Sequence, residues 1–161
     1  MKSYGYHLVT SSGCGGTELS AFDDALYSAN VGNLNIVKIS SIIPPFSKKC
    51  DNIPDSIADG SMIHCAFSYK VCKEVGKQIV SVLGVAIPDD LNLSGVIMEH
   101  SIPQSNSARL DSGKESVKNS LKEAMIRRNI VNYSTEIIHS NIITSSNDYH
   151  CVFCGCFIFE I

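Results

Sequence analysis

Little in this sequence points to a charged or membranous partner. Charged residues make up 18% of the chain and the net charge is −3. Lysine and arginine never gather into a stripe: Lys48-Lys49 and Arg127-Arg128 are isolated pairs, read as solvated surface. Neither nucleic acid nor an anionic membrane is therefore expected as a partner. The longest apolar-rich run, Gln78 to Pro88, is too short to span a bilayer and ends in proline. Met1 to Tyr6 carries one lysine and no apolar core of a signal peptide, so a cytoplasmic location is the expectation. Seven cysteines, an odd count, argue against a disulfide framework. Cys151-x-x-Cys154-x-Cys156 has no second C-x-x-C to complete four ligands. It also sits in a run that reads as a strand, where Cys151 and Cys154 face opposite ways. These thiols are read as small buried hydrophobes, and no metal is expected. Ser11 to Gly16 is glycine-rich but lacks the lysine of a P-loop and the spacing of a dinucleotide fingerprint, so a tight turn is expected there. The five histidines are scattered, with no pair at ligand spacing.

What is present suits one domain with a real core: 161 residues, 44% of them hydrophobic. Tyr6 to Thr10 reads as a first strand. Thr17 caps a helix running to about Ala29, with Leu19, Phe22, Leu26 and Ala29 as its buried stripe and Asp23 and Asp24 as solvated acids. Asn30 to Asn33 stops the helix, with glycine in the turn. Leu34 to Ser40 is a short strand that ends at Ser40-Ser41 and is closed off by Pro44-Pro45, which have no N–H to donate. Phe46 to Asp59 is loop. Strands come next at Gly60–Lys70, Gln78–Ile87 and Ser94–His100, and Ser101 to Asn106 is loop. Gln78–Ile87 is nearly continuous in apolarity, as a strand buried on both faces should be. A second helix spans Ser112–Arg128, with Val117, Leu121, Ala124 and Met125 on one stripe. Strands at Tyr133–Ile143 and His150–Glu160 complete the chain. Two helices among mostly antiparallel strands make an α+β layered sandwich. On these grounds alone, Ser40-Ser41 is an ordinary strand end.

Four blocks change that reading. Gly16-Thr17-Glu18-Leu19-Ser20-Ala21-Phe22-Asp23-Asp24-Ala25-Leu26, the run from Gly32 through Asn35, Ser40-Ser41 and Pro44-Pro45, Val85-Ala86-Ile87-Pro88, and Gly95-Val96-Ile97-Met98-Glu99 occur in one order and spacing. Together they resemble pyruvoyl-dependent arginine decarboxylase, the archaeal type most closely. The resemblance covers nearly the whole chain, and its cysteine-rich last strand departs from the family pattern. It implies a four-layer αββα sandwich and a homotrimer or hexamer with sites between subunits.

It also implies a self-cleavage. The Ser41 hydroxyl attacks the carbonyl carbon of Ser40, and the resulting ester eliminates. The dehydroalanine left behind hydrolyses to a pyruvoyl group and ammonia. The products are a 1–40 β chain and a 41–161 α chain. Such a site must hold a weak nucleophile against its target and supply a donor for the developing oxyanion; the sequence does not name that donor, and Asn35 is a candidate. The pyruvoyl group, with neither metal nor pyridoxal phosphate, would form a Schiff base with arginine and take up the electrons as carbon dioxide leaves, giving agmatine. By the resemblance Glu99 is the general acid and Asp23 meets the guanidinium. Leu19, Leu26, Gly32, Leu34, Asn35 and Ser40 line the pocket. Two other readings stand beside this one: the same chemistry on another amino acid, and a non-catalytic oligomeric paralogue that keeps the fold.

Overall fold

The run Ile79 to Ala86 is buried at every position, which requires apolar partners on both faces of its strand. The computed structural model supplies them. It describes residues 3–105 and 109–161; Met1-Lys2 and the Asn106 end of the expected 101–106 loop lie outside the described residues. In chain order the elements are β1 (Tyr4–Gly15), α1 (Glu18–Ser28), β2 (Asn35–Lys38), β3 (Ile42–Ile43), β4 (Lys48–Lys49), β5 (Met62–Cys72), β6 (Gln78–Pro88), β7 (Gly95–Ser105), α2 (Leu110–Arg127), β8 (Tyr133–Ile143) and β9 (Tyr149–Glu160). One sheet has the order β2-β5-β9-β1-β4 and the other β3-β7-β6-β8. Pairing is antiparallel except at β1–β4 and β2–β5.

Three apolar layers separate four structural ones. Ala21, Ala25 and Leu26 of α1 pack on Phe153, Phe157 and Phe159 of β9. Val117, Leu121, Ala124 and Met125 of α2 pack on Val80, Val82 and Ala86 of β6. Between the sheets lie Leu83, Val85, Ile97, Cys154, Cys156 and Ile158. The expected αββα sandwich is thus observed. The period-two alternation of β9 divides its thiols as expected, with Cys151 toward α1 and Cys154 and Cys156 toward the other sheet. All three are fully buried, and burial pushes their thiols up to about 12, 11 and 12 respectively. They are inert packing groups. A seam of small polar groups crosses this middle layer: Ser68 and Ser81 share a hydrogen bond, Cys154 Sγ donates to Ser81 O, and Ser140 Oγ donates to Ser11 O. At the rim, Lys49 Nζ contacts Glu136 at 2.8 Å and ties the edge of one sheet to the edge of the other.

Several boundaries differ from the sequence reading. Ser11 to Gly15 is not a turn; β1 continues through it, paired residue for residue with β9. Glycine is needed at position 13 because α1 lies directly on the strand, and a Cβ there would overlap the helix backbone at Ala25 N and Ala21 O. Gly13→Ala is expected to lower unfolding free energy by about 1–3 kcal/mol, as overpacking against an immobile backbone does. Urea titration measures it, and unchanged stability would show that α1 can shift outward freely.

The cap of α1 is as expected. Thr17 Oγ1 accepts from Ser20 N–H at 3.1 Å, while Ser20 Oγ accepts from Thr17 N–H at 3.0 Å. Its stripe is rotated from the expected one, however: Leu19 is 77% exposed and Ala21 and Ala25 carry the contact. Small residues win because the helix sits so close to β1. The helix ends through Asn30, at φ 58°, and not through Gly32. Gly32 is required for a different reason: the turn folds back so closely that a Cβ there would overlap the backbone of Tyr27.

Candidate active site

The strand expected over Leu34–Ser40 is shorter, and the crossing just after it is the central feature of the site. β2 pairs with β5 in one sheet, from Asn35 opposite Met62 to Lys38 opposite Cys65. β3 pairs with β7 in the other sheet, Ile42 opposite Val96 and Ile43 opposite Gly95. Residues 39–41 therefore carry the chain from one sheet across to the other. Each end is anchored. Ile39 packs into the layer between the sheets and its N–H donates to Cys65 O at 3.1 Å. Ile43 is 1% exposed in the same layer. The prolines come directly after β3 and so limit this short strand, as their missing N–H groups predict.

Ser40-Ser41 spans the gap. Ser40 is exposed and Ser41 half-buried. Ser41 O accepts from Ile97 N–H at 2.9 Å, and Ser40 O accepts from Ile42 N–H at 2.9 Å. Ser41 Oγ donates to Glu99 Oε2 at 3.3 Å. The position of Glu99 is set by β7. Ile97 faces the other sheet and Met98 faces α2, so Glu99, two residues after Ile97, also turns inward, to the rim of the middle layer where Ser41 crosses.

The crossing leaves two strand edges open. β2 covers β5 only as far as Cys65, and β3 covers β7 only near Gly95 and Val96. Beyond them lies a groove of about 360 Å³ lined by Lys38, Phe67, Ser68, Tyr69, Glu99, His100 and Ser101. Lys38 Nζ stands 4.8 Å from the Phe67 ring centroid, a cation–π arrangement. Phe22 of α1 closes the aromatic wall, with its ring 4.7 Å from Tyr69 and 6.3 Å from Phe67. Lys38, Phe67 and Tyr69 carry no signal in the sequence. Their relevance comes only from where β2 stops.

The other expected pocket residues lie elsewhere on the same chain. Leu19, Asp23 and Leu26 line a hollow of about 490 Å³ on α1, with Thr17, Ser20 and Phe22. Gly32 and Leu34 line a third, of about 350 Å³, beside Asn33, Ile53 and Asp59. Asn35 begins β2, at the far end of that strand from Ser41, and its Nδ2 donates to Gly60 O at 2.6 Å. A single chain thus brings together Ser40, Ser41 and Glu99, and sets the remaining residues on neighbouring surfaces. Among the described residues no group of three or more His, Cys, Asp or Glu could hold a metal ion, and no helix is long and apolar enough to cross a membrane.

This arrangement gives a serine hydroxyl a carboxylate acceptor next to the Ser40–Ser41 bond. The family model described as pyruvoyl-dependent arginine decarboxylase matches residues 5–160. The chain is similar to the protein named pyruvoyl-dependent arginine decarboxylase of Methanococcus vannielii, 39% identical over 112 residues, 69% of this chain and 66% of that protein. The protein of the same name from Methanocaldococcus jannaschii is 39% identical over 94 residues, 58% of this chain and 55% of its own length. That of Pyrococcus furiosus is 31% identical over 116 residues, 72% of this chain and 70% of its own length. The aligned segment spans just under two thirds of the first of these relatives and little more than half of the second. With a family match over nearly its full length and the αββα architecture, the chain belongs to the pyruvoyl-dependent arginine decarboxylase family.

Proposed function

We propose that this chain cuts itself between Ser40 and Ser41 and that the resulting 1–40 and 41–161 pair decarboxylates L-arginine to agmatine and carbon dioxide. The observation that carries the reading is the 3.3 Å hydrogen bond from Ser41 Oγ to Glu99 Oε2, at the crossing between the sheets. A carboxylate that accepts from a serine hydroxyl is placed to remove its proton, which is the first requirement of an attack on Ser40.

A pyruvoyl group made from Ser41 fits these surroundings. The carbonyl of residue 41 is already pinned by Ile97 N–H, and its side chain faces Glu99 at the rim of an aromatic-walled groove. Such a group supplies a sink for the electrons released when a carboxylate leaves. Glu99, within reach of residue 41, is the group that returns a proton to the product carbon. Asp23 offers the guanidinium a carboxylate, and Leu19 and Leu26 offer apolar wall to the methylenes. Gly32, Leu34 and Ser40 complete the pocket, together with Asn35, which keeps its Oδ1 beyond the bond to Gly60.

Asp23 and Glu99 line different hollows of one chain. A homotrimer or hexamer that sets the α1 hollow of one copy against the Ser41 groove of another would join them. Leu19 at 77% exposure, with Met62 at 80% beside β2, supports a covered surface there. Seven free cysteines suit a reducing compartment such as the cytoplasm.

Intact-mass measurement of the purified chain tests the reading, together with amine product assays on arginine, ornithine, lysine and histidine. Two fragments meeting at Ser40/Ser41 are expected, with agmatine formed from arginine. One uncut mass and no amine would overturn the proposal, whereas another amine in place of agmatine would overturn the choice of substrate alone.

A further inference from the structure

Whatever cleaves the Ser40–Ser41 bond must stabilise charge on the Ser40 oxygen, and the donor that reaches it is a main-chain N–H. We infer that the amide of Ile42 is the oxyanion donor of the self-cleavage, so that the breaking of the bond uses groups of a single chain throughout. The inference rests on the self-cleavage reading above.

In a regular edge strand the N–H of Ile42, which faces away from β7, would be left open. Instead it turns back two residues and donates to Ser40 O at 2.9 Å, closing a three-residue turn about Ser41. The donor is thus already at hydrogen-bond distance from the oxygen on which charge builds, and the contact has only to follow that oxygen as its carbon turns tetrahedral. The same turn presents the nucleophile, since Ser41 is its central residue. Its conformation is fixed from both sides. Ile97 N–H holds Ser41 O at 2.9 Å, Ile39 N–H is tied to Cys65 O, and Ile43 is sunk in the middle layer. Donor and nucleophile thus belong to one three-residue turn, and the proton acceptor, Glu99, reaches that nucleophile from β7 of the same chain. Asn35, the side-chain candidate, is bonded to Gly60 O at the other end of β2.

The step balances within these groups. The Ser41 Oγ–H bond breaks and its proton passes to Glu99 Oε2. Oγ bonds to the Ser40 carbonyl carbon, and the carbonyl π pair moves onto Ser40 O, where Ile42 N–H holds it. When that pair returns, the C–N bond between Ser40 and Ser41 breaks and the Ser41 nitrogen takes the proton back from Glu99. The product is an ester of Ser40 on Ser41 Oγ with a free amine on Ser41. No atom is gained or lost, and no oxidant, reductant or metal enters.

Replacing Ile42 by proline removes the N–H, and the ladder of β3 does not use that group. The time course of cleavage, tracked by intact mass from freshly synthesised full-length chain, is the measurement. Ile42→Pro is expected to slow cleavage on the order of 10²-fold, the usual effect of losing one such donor. In Ile42→Val, which keeps the N–H, a loss as large as that of the proline chain would overturn the inference. Should the proline chain fail to fold, the α-hydroxy analogue of isoleucine at position 42, which exchanges N–H for oxygen and keeps the shape, decides the matter by the same time course. Wild-type cleavage with an unchanged rate in the folded variant overturns the inference alone. A wild-type chain that stays whole overturns the self-cleavage reading, and this inference with it.

Discussion

A Ser41→Ala chain is expected to remain one polypeptide and to release no agmatine from arginine. Oγ of Ser41 has two successive uses in the proposed chemistry, as the nucleophile and, once esterified, as the leaving atom whose elimination turns residue 41 into dehydroalanine, and alanine can serve neither. The loss should be complete and not graded, which sets it apart from the effect of a damaged pocket. The fold should survive. Ser41 is half-buried, and the substitution removes one hydrogen bond, to Glu99, worth roughly 1 kcal/mol. Its carbonyl contact with Ile97 N–H belongs to the backbone and is kept. Intact mass, product assay and a thermal melt on the same preparation make the test. Continued cutting between residues 40 and 41 in this variant would remove Ser41 from its role.

Glu99→Gln is expected to be the second most damaging change. A glutamine has nearly the same shape and can still accept from Ser41 Oγ, so the crossing should keep its geometry. It cannot take up the hydroxyl proton or deliver one to carbon. Cleavage should slow, and kcat expressed per cut chain should fall by about 10²–10⁴-fold, the usual share of a positioned acid or base. Affinity for agmatine should change little, since the proposed readers of the guanidinium and methylenes, Asp23, Leu19 and Leu26, line the separate α1 hollow. Turnover close to wild type would exclude Glu99 from proton transfer. Equal losses in agmatine affinity and kcat would assign it to binding instead.

How much of this is legible in the sequence depends on which physical signal carries each feature. Continuous apolarity identifies β6, and threefold and fourfold spacing identifies both helices, because those patterns are imposed by burial alone. The opposite orientations of Cys151 and Cys154 come from strand alternation. The second half of β1 is not legible in this way: Gly13 and Gly15 look like turn residues, and their cause is a helix lying across the strand, which no local window contains. The exposure of Leu19 is hidden for the same reason, since Ala21 and Ala25 gain their contact from that close approach. The stretch from Leu34 to Ser41 reads as one strand with a polar end, yet the strands before and after the serines, β2 and β3, belong to different sheets. Two-residue strands such as β3 and β4 exist only through their long-range partners. The resemblance supplies Ser41 and Glu99 together, and the structure places them 3.3 Å apart. The amides of Ile42 and Ile97 cannot be found from residue types, because every residue but proline has that group.

The position of β1 has a consequence for the cut protein as a folding system. Residues 1–40 hold β1, α1 and β2, and β1 is an inner strand, flanked by β9 and β4 and matched to β9 along all twelve of its residues. The short fragment is a slab through the molecule and not a detachable tail. Under the proposed cleavage it would stay bound, but its relation to the rest would change in kind. The uncut subunit folds as one chain. Once cut, two separate chains would have to meet to rebuild even one subunit, which adds a concentration dependence to its melting. The proposed cut form would thus carry a structure that it could regain only by encounter.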